Sequence, residues 1–352
     1  MNTDSSQPIE HVYDIPPFLS TYRDILDASL HEAVSNKLSY ATTPIEYHMG
    51  WSNPNGNPIK STEGKRLRPA LMLFACVSLG GKVERALAPA VAIELIHNFS
   101  LIHDDIEDRD TQRHNRPTVW SIWGEYKAIH IGSLLYDLAF IQMGEVSNDV
   151  SSEQLLYASS RLSESSFEMM KGQYLDISFE ERMKVSTTEY IEMVAFKTAS
   201  LISCAMDIGG FIGTGDHELA SSLALLGRQL GQLFQIRDDM LGIWGDVKST
   251  GKPVGADIRR KKKSFPIVYA MEVGRKSSID DLNKVFNKST LDDGDVEKVL
   301  VALDHTNAKN KCEANTQEMG SRIMKQIENA KFPSNFRLEI EELVDFLITR
   351  TR

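Results

Sequence analysis

A chain of 352 residues with a formal net charge of −10 is a poor partner for nucleic-acid phosphates, which excludes a general nucleic-acid-binding role. Its 41% hydrophobic content can fill a large core, yet the sequence has no uninterrupted apolar run of about eighteen residues, so no transmembrane segment is expected. Cys76, Cys204 and Cys312 are scattered without a CxxC, which argues against a disulfide framework or a zinc site and for a reducing, cytoplasmic setting.

Residues 1–17 are polar, carry Pro8, Pro16 and Pro17, and lack the basic and apolar regions of a secretory signal. They read as a loose tail before one helical domain, residues 18–352. An amphipathic helix is expected from Phe18 to about Lys37, then a Gly/Pro/Asn-rich loop over 49–63. GKRLRP (64–69) leads into an apolar helix closed by Gly80-Gly81, and the next helix runs from Val83 or Pro89 to Asp108. After a polar, basic loop at 109–118, helical patterns cover Trp120–Met143, Gln154–Asp176, Thr187–Gly209 and Glu218–Gly245. Residues 246–264 form a long loop ending in the basic run Arg259–Lys263. Further helices are expected at Phe265–Val273, Val296–Leu303, Asn315–Ala330 and Asn335–Arg350. Strand-type alternation is nowhere sustained, so the fold class is all-α, a large helix bundle with a central cavity.

Two acidic stretches stand out. In ELIHNFSLIHDDIED, helical spacing puts His97, Leu101, Asp104 and Asp108 on one face, with Asp105 adjacent. In LLGRQLGQLFQIRDD, Leu226, Leu230, Phe234 and Asp238 continue a stripe spaced by four, with Asp239 next. Carboxylates entering a core need compensating cations, and hard oxygen donors suit Mg²⁺ completed by substrate phosphates. Two such helices can face each other across a bundle, and diphosphate is the natural bridging anion. Cationic counterparts are present at Lys65, Arg68, Arg113, His114, Lys197, Lys252 and Lys263. Taken singly, His97 reads as a core histidine, Arg259–Lys263 as a solvated loop, and Gln173, Asp176 and Gln235 as hydrogen-bonded core groups.

As an ordered set, GKRLRP, ELIHxxSLIHDDIED, RPTVW, KGQYLD, FKTA, FQIRDDMLGIWGD and GKxxGxDIRRKKxSFP resemble the trans-isoprenyl diphosphate synthases (polyprenyl synthetases), in particular short-chain farnesyl and geranylgeranyl types. The resemblance spans Gly64–Pro266 and the C-terminal EELVDFLITR. It implies a Mg²⁺-dependent prenyltransferase that is usually a homodimer, with about three metal ions per site held by Asp104, Asp105, Asp108, Asp238 and Asp239. Arg113, Lys197, Lys252 and Lys263 then grip the allylic diphosphate, Lys65, Arg68 and His97 form the isopentenyl diphosphate site, and Thr198 and Gln235 flank the allylic cation.

The sequence departs from the pattern at His114 and Asn115, where the family has a second arginine, which binds isopentenyl diphosphate, and a glycine. It departs again at Ser133, where Gly-Asp is common, and at Gly242, the place of a third aspartate. Three readings therefore stay open: chain elongation, a terpene synthase of the same fold that ionises and cyclises an allylic diphosphate, and a non-catalytic subunit of a heteromeric synthase. Phe99 and Ser100, one aromatic and one small residue just before the first motif, resemble the pocket floor of enzymes making C15 or C20 products.

Overall fold

The computed structural model describes residues 16–38, 41–59, 64, 66–245, 254–330 and 332–351. Within them lie seventeen helices: α1 (Pro17–Thr21), α2 (Arg23–Lys37), α3 (Thr42–His48), α4 (Leu67–Ser78), α5 (Val83–Glu107), α6 (Val119–Trp123), α7 (Glu125–Met143), α8 (Ser152–Glu181), α9 (Thr187–Lys197), α10 (Ala199–Thr214), α11 (His217–Trp244), α12 (Ala256–Arg259), α13 (Phe265–Val273), α14 (Lys276–Phe286), α15 (Asp293–His305), α16 (Ala308–Asn329) and α17 (Ser334–Thr349). The only paired strands among the described residues are β1 (Gln112–Arg113) and β2 (Arg116–Pro117), a two-residue antiparallel hairpin after α5. The all-α expectation is met.

The centre is built by the apolar helices α5 and α10, packed with α4, α7, α8 and α11. α5 is long and apolar enough to cross a bilayer, with a mean hydropathy of 1.3 over its best window, but 72% of that window is buried inside the bundle. The charged residues Glu94, Asp104 and Asp105 sit on it as well, so it is a core helix carrying a site. A second, smaller core (Ile243, Ile258, Ile267, Leu282, Val296, Leu303) fastens α12–α15 to the end of α11 and so sets the segment Val254–Ser264 against the second aspartate motif.

The differences from the expected elements have local causes. α1 and α2 are separate because Tyr22 interrupts the pattern with a non-helical cap (φ −98°, ψ 1°). α3 falls between the helix expected to end near Lys37 and the loop expected at 49–63, and α14 lies in the charged stretch KSSIDDLNKVF, whose few apolar residues lie on one face. The expected helix 187–209 breaks at Thr198, which ends α9 and caps α10. α8 and α9 begin at full capping boxes, Ser151/Gln154 and Ser186/Glu189.

Candidate active site

Neighbouring residues on a helix point about 100° apart, so two consecutive aspartates cannot face one point. The structure separates both pairs accordingly. Asp105 is 2% exposed and receives Arg113 Nε at 2.9 Å and Nη2 at 2.8 Å. Asp239 is fully buried and receives four donors: Tyr190 Oη, Gln235 Nε2 at 3.0 Å, the Phe265 N–H at 2.8 Å and Lys262 Nζ at 3.4 Å. The first member of each pair is more open. Asp104 is half-buried beside exposed Asp108, and the Asp238 side chain is 53% exposed, with Arg350 Nη2 at 3.4 Å. Burial, opposed by Lys197 and reinforced by Asp108, pushes the Asp104 carboxyl up to about 6. Asp108 is raised by the same desolvation, against the pull of Lys197. Together these carboxylates hold excess negative charge that waits for a cation.

Lys197 sits at the break between α9 and α10, its Nζ 2.6 Å from Asp176 Oδ2 on α8. Burial works against its charge, but Asp176 and Asp104 outweigh that and hold its pKa above the usual lysine value. The close approach of α8 to α9 that makes this pair depends on Gly172 of KGQYLD: a Cβ there would stand 2.1 Å from the Lys197 backbone nitrogen. Thr198 Oγ1 donates to Gln235 Oε1 at 2.8 Å, and Gln235 passes its own donor to Asp239, so these two residues bridge the α9–α10 break to the second motif. Gln173 Nε2 donates to Glu107 at 2.7 Å and ties α8 to the end of the first motif.

About two turns earlier on α5, Arg68 Nη1 lies 3.1 Å from His97 Nε2. Burial, then Arg68, keeps His97 well below the ordinary histidine pKa, so it is neutral and accepts from the guanidinium. Buried Arg66, in the left-handed region (φ 46°), anchors the turn before α4 through Asp27 at 2.9 Å and Glu94 at 2.9 Å. Arg68 is thereby set against α5 by the neighbouring residue's ion pairs. Phe99, 8% exposed, meets His103 and Tyr136 edge-on with ring centroids 4.7 and 5.2 Å away, closing the space below Asp104 with aromatic groups.

One expected residue is misplaced by a single position. Lys263 turns away and donates to the Arg182 backbone carbonyl, whereas Lys262 reaches Asp239 at 3.4 Å and Asp257 at 4.0 Å. Lys261 adopts φ 56° after α12, and that reversal decides which of three consecutive lysines faces inward. Lys65 and Lys252 lie outside the described residues. His114 and Asn115 both have positive φ (49° and 59°) and form the tight turn of the β1–β2 hairpin, a conformation asparagine tolerates, which accounts for Asn115 in place of glycine. Ser133 is exposed and bonds its own helix at Ile129 O, 3.0 Å, outside the site. At Gly242 a Cβ would stand 2.2 Å from Asp257 Oδ2, so the carboxylate of Asp257 occupies the space a third motif aspartate would need. Residues not singled out from sequence are Lys262, Asp257, Tyr190, Arg66 and Arg350. Of these, Arg66, Asp257, Lys262 and Arg350 lie inside quoted motifs, while Tyr190 carried no signal beyond being a tyrosine on an apolar stripe.

The five aspartates do not draw together into a closed metal cage: among the described residues no three His, Cys, Asp or Glu side chains converge on one point. Asp104 and Asp108 at the end of α5 and Asp238 on α11 keep carboxylate oxygens open to solvent, a donor set suited to hydrated Mg²⁺ ions completed by diphosphate oxygens.

The family model for polyprenyl synthetases matches residues 52–303. The chain is 30% identical over 338 residues to a (2E,6E)-farnesyl diphosphate synthase of Mycobacterium bovis, covering 95% of this chain and 93% of that protein. It is 36% identical over 242 residues to a geranylgeranyl diphosphate synthase of Mycobacterium tuberculosis, covering 69% of this chain and 68% of that one. Its fold superposes on a polyprenyl synthetase from Streptomyces coelicolor A3(2) with a TM-score of 0.88 at 32% identity, over 95% of this chain and 99% of that chain.

Proposed function

The chain belongs to the polyprenyl synthetase family and is a prenyltransferase, and from that premise we propose that it condenses isopentenyl diphosphate with an allylic diphosphate to give an all-trans C20 product, or C15. The observation that carries this reading is the pairing of two sites along α5: open carboxylates Asp104 and Asp108 near Lys197 at its C-terminal end, and the cationic Arg68–His97 pair about two turns before them. A terpene synthase needs only the first, so the presence of Arg68 and His97 favours elongation over cyclisation.

Asp104, Asp108 and Asp238 are the residues that would hold Mg²⁺, about three ions per site; Asp105 and Asp239 serve as buried anchors for Arg113 and Lys262. When bound, the metal supplies positive charge to a departing diphosphate. The protein's part is to surround that diphosphate with Arg113, Lys197 and Lys262, so that charge developing on the leaving oxygens meets fixed cations in a poorly hydrated cleft. Thr198 and Gln235, locked to each other at 2.8 Å, present oxygen dipoles near the carbon left electron-poor. Arg68 and His97 hold the second diphosphate so that its double bond lies alongside. Apolar walls, including Phe99, keep water from the cation and limit product length.

A homodimer agrees with Phe167, Met170, Tyr174 and Ile177, which form an exposed apolar stripe at i, i+3, i+7 and i+10 on α8. A cytoplasmic setting agrees with three buried free thiols. The test is incubation with Mg²⁺ and geranyl or farnesyl diphosphate, with and without isopentenyl diphosphate, read by mass spectrometry. Longer diphosphates formed only with isopentenyl diphosphate support the reading. Hydrocarbons or alcohols formed without it refute it.

A further inference from the structure

Elongation as proposed above requires firm capture of a second diphosphate, and in this chain the hairpin residue that would supply a second guanidinium is His114. His48 ends α3 directly against that hairpin. A cavity there is walled by Tyr47, His48, Asp105, Arg113, His114 and Arg116. Arg116 stacks over the Tyr47 ring at 4.2 Å and donates to Ser52 O at 3.0 Å, so the hairpin is pinned to the α3 side of the cavity.

The imidazole is held by a relay from α5. Asn98 is 5% exposed, and its Nδ2 donates to the Glu94 backbone carbonyl at 2.8 Å and to the Glu94 carboxylate at 3.3 Å. That leaves the Asn98 side-chain oxygen to accept from His48. His48 Nε2 is shut off from solvent and has no hydrogen-bond partner, so the bond to Asn98 runs through Nδ1. An oriented ring nitrogen without a partner, in a wall shared with Arg113 and His114, is a polar group prepared for a ligand.

We propose that His48 supplies, from α3, the cationic contact to the diphosphate group of isopentenyl diphosphate that the hairpin lacks at position 114. The charged groups around it are Arg66 and Arg68 at the start of α4, Glu94, His97 and Asp105 on α5, Arg113, His114 and Arg116 on the hairpin, and, where α2 packs on α3, the His31–Glu46 pair. Burial, then Arg113 and Arg66, pushes the His48 imidazole down to about 3, so the ring is neutral and Nε2 carries a lone pair. A multiply charged anion in the cavity reverses that field, and Nε2 takes up a proton and donates it to a phosphate oxygen. Glu94, through Asn98, balances the new charge from behind.

This proposal rests on the elongating function above, and its test separates the two. The full chain, His48→Ala and His48→Gln would be compared by steady-state kinetics with each substrate varied in turn. Titration calorimetry with isopentenyl diphosphate, in buffers of different ionisation enthalpy, counts the protons taken up on binding. The expected result for His48→Ala is a KM for isopentenyl diphosphate raised about tenfold, the loss of one charge-assisted hydrogen bond. The KM for the allylic substrate stays within about twofold of wild type, and proton uptake drops by as much as one proton. His48→Gln, whose amide donates without protonation, recovers part of the affinity but not the proton uptake. An unchanged KM for isopentenyl diphosphate, an equal rise in both KM values, or unaltered proton uptake in His48→Ala overturns the proposal while leaving the elongating function in place. A wild-type chain that consumes no isopentenyl diphosphate overturns both.

Discussion

The three consecutive lysines of the Val254–Ser264 segment give the sharpest test of the site. Lys262 is the only lysine or arginine within ion-pairing distance of Asp239 among the described residues, at 3.4 Å, and its charge also acts on Asp257, Asp176 and Asp238. Its side chain is 32% exposed while Asp239 has no exposure at all. Removing one partner of a buried pair costs about 3–5 kcal/mol because the other charge is stranded. With a third of Lys262 reached by solvent, and with Tyr190, Gln235 and the Phe265 N–H still donating to Asp239, roughly 2–3 kcal/mol is the better figure. Lys262→Met keeps the hydrocarbon stem and removes the charge. Thermal denaturation should show that loss, and turnover should fall by about two orders of magnitude or more, since a cation beside the departing diphosphate goes with it. Lys263→Met removes a contact to one backbone carbonyl, worth about 1 kcal/mol, and should leave turnover within about threefold. Comparable kinetic losses in the two variants, or a larger loss for Lys263, would refute the inward assignment of Lys262.

Asp104 predicts a trade between stability and activity. Its carboxyl is raised from 3.8 to about 6, so the folded state holds the proton more tightly than the unfolded chain; the stabilisation this gives is full below about pH 3.8 and is lost as pH rises through about 6. At pH 8 without metal, Asp104→Asn should therefore raise the melting temperature by the equivalent of about 2–3 kcal/mol while abolishing turnover, and an unchanged or lower melting temperature would count against the burial argument. Gly172→Ala should force α8 from α9, weakening the Lys197–Asp176 pair and lowering both stability and kcat; normal kcat would show that the 2.1 Å conflict is relieved without moving Lys197. Phe99→Ala should open the aromatic floor and lengthen the product, read by mass spectrometry, and an unchanged product distribution would assign the floor elsewhere.

The sequence exposed what depends on spacing and left obscure what depends on backbone reversals. The long helices α5, α8 and α11 were visible because their apolar stripes run for many turns, and their ends were marked by Gly80-Gly81 before α5 and Gly245 after α11. The short pieces were not: α3 and α12 have too few residues to show a period, and α14 carries its apolar residues in a strongly charged context. The same contrast holds within the site. Asp104, Lys197 and Arg68 could be placed from helix faces, whereas the choice between Lys262 and Lys263 turns on one left-handed residue, Lys261, which spacing does not reveal. Arg66 is a similar case, since its neighbours in GKRLRP looked equally solvent-facing until the left-handed turn drove it onto Asp27 and Glu94.

Both aspartate pairs follow one construction, and it bears on how the two motifs should respond to mutation. In each pair the buried second member is bound to a basic residue outside its own helix: Asp105 to Arg113 on the hairpin, Asp239 to Lys262 after α12. The first member is left open to the cleft. The buried aspartates thus fix the positions of the cations, while the open ones supply oxygen ligands. The double occurrence follows from helix geometry, because a single α-helical turn cannot aim adjacent carboxylates at one ion. Replacing Asp105 or Asp239 by asparagine should therefore raise the KM for the allylic diphosphate and lower thermal stability, through misplaced Arg113 or Lys262, with the metal concentration for half-maximal activity little changed. Replacing Asp104 or Asp238 should act in the opposite sense, with a large shift in metal dependence and no loss of stability. A metal titration of these four variants decides the matter: if Asp105→Asn and Asp239→Asn shift the metal requirement as far as Asp104→Asn and Asp238→Asn, the division of labour is wrong and all four carboxylates ligate metal.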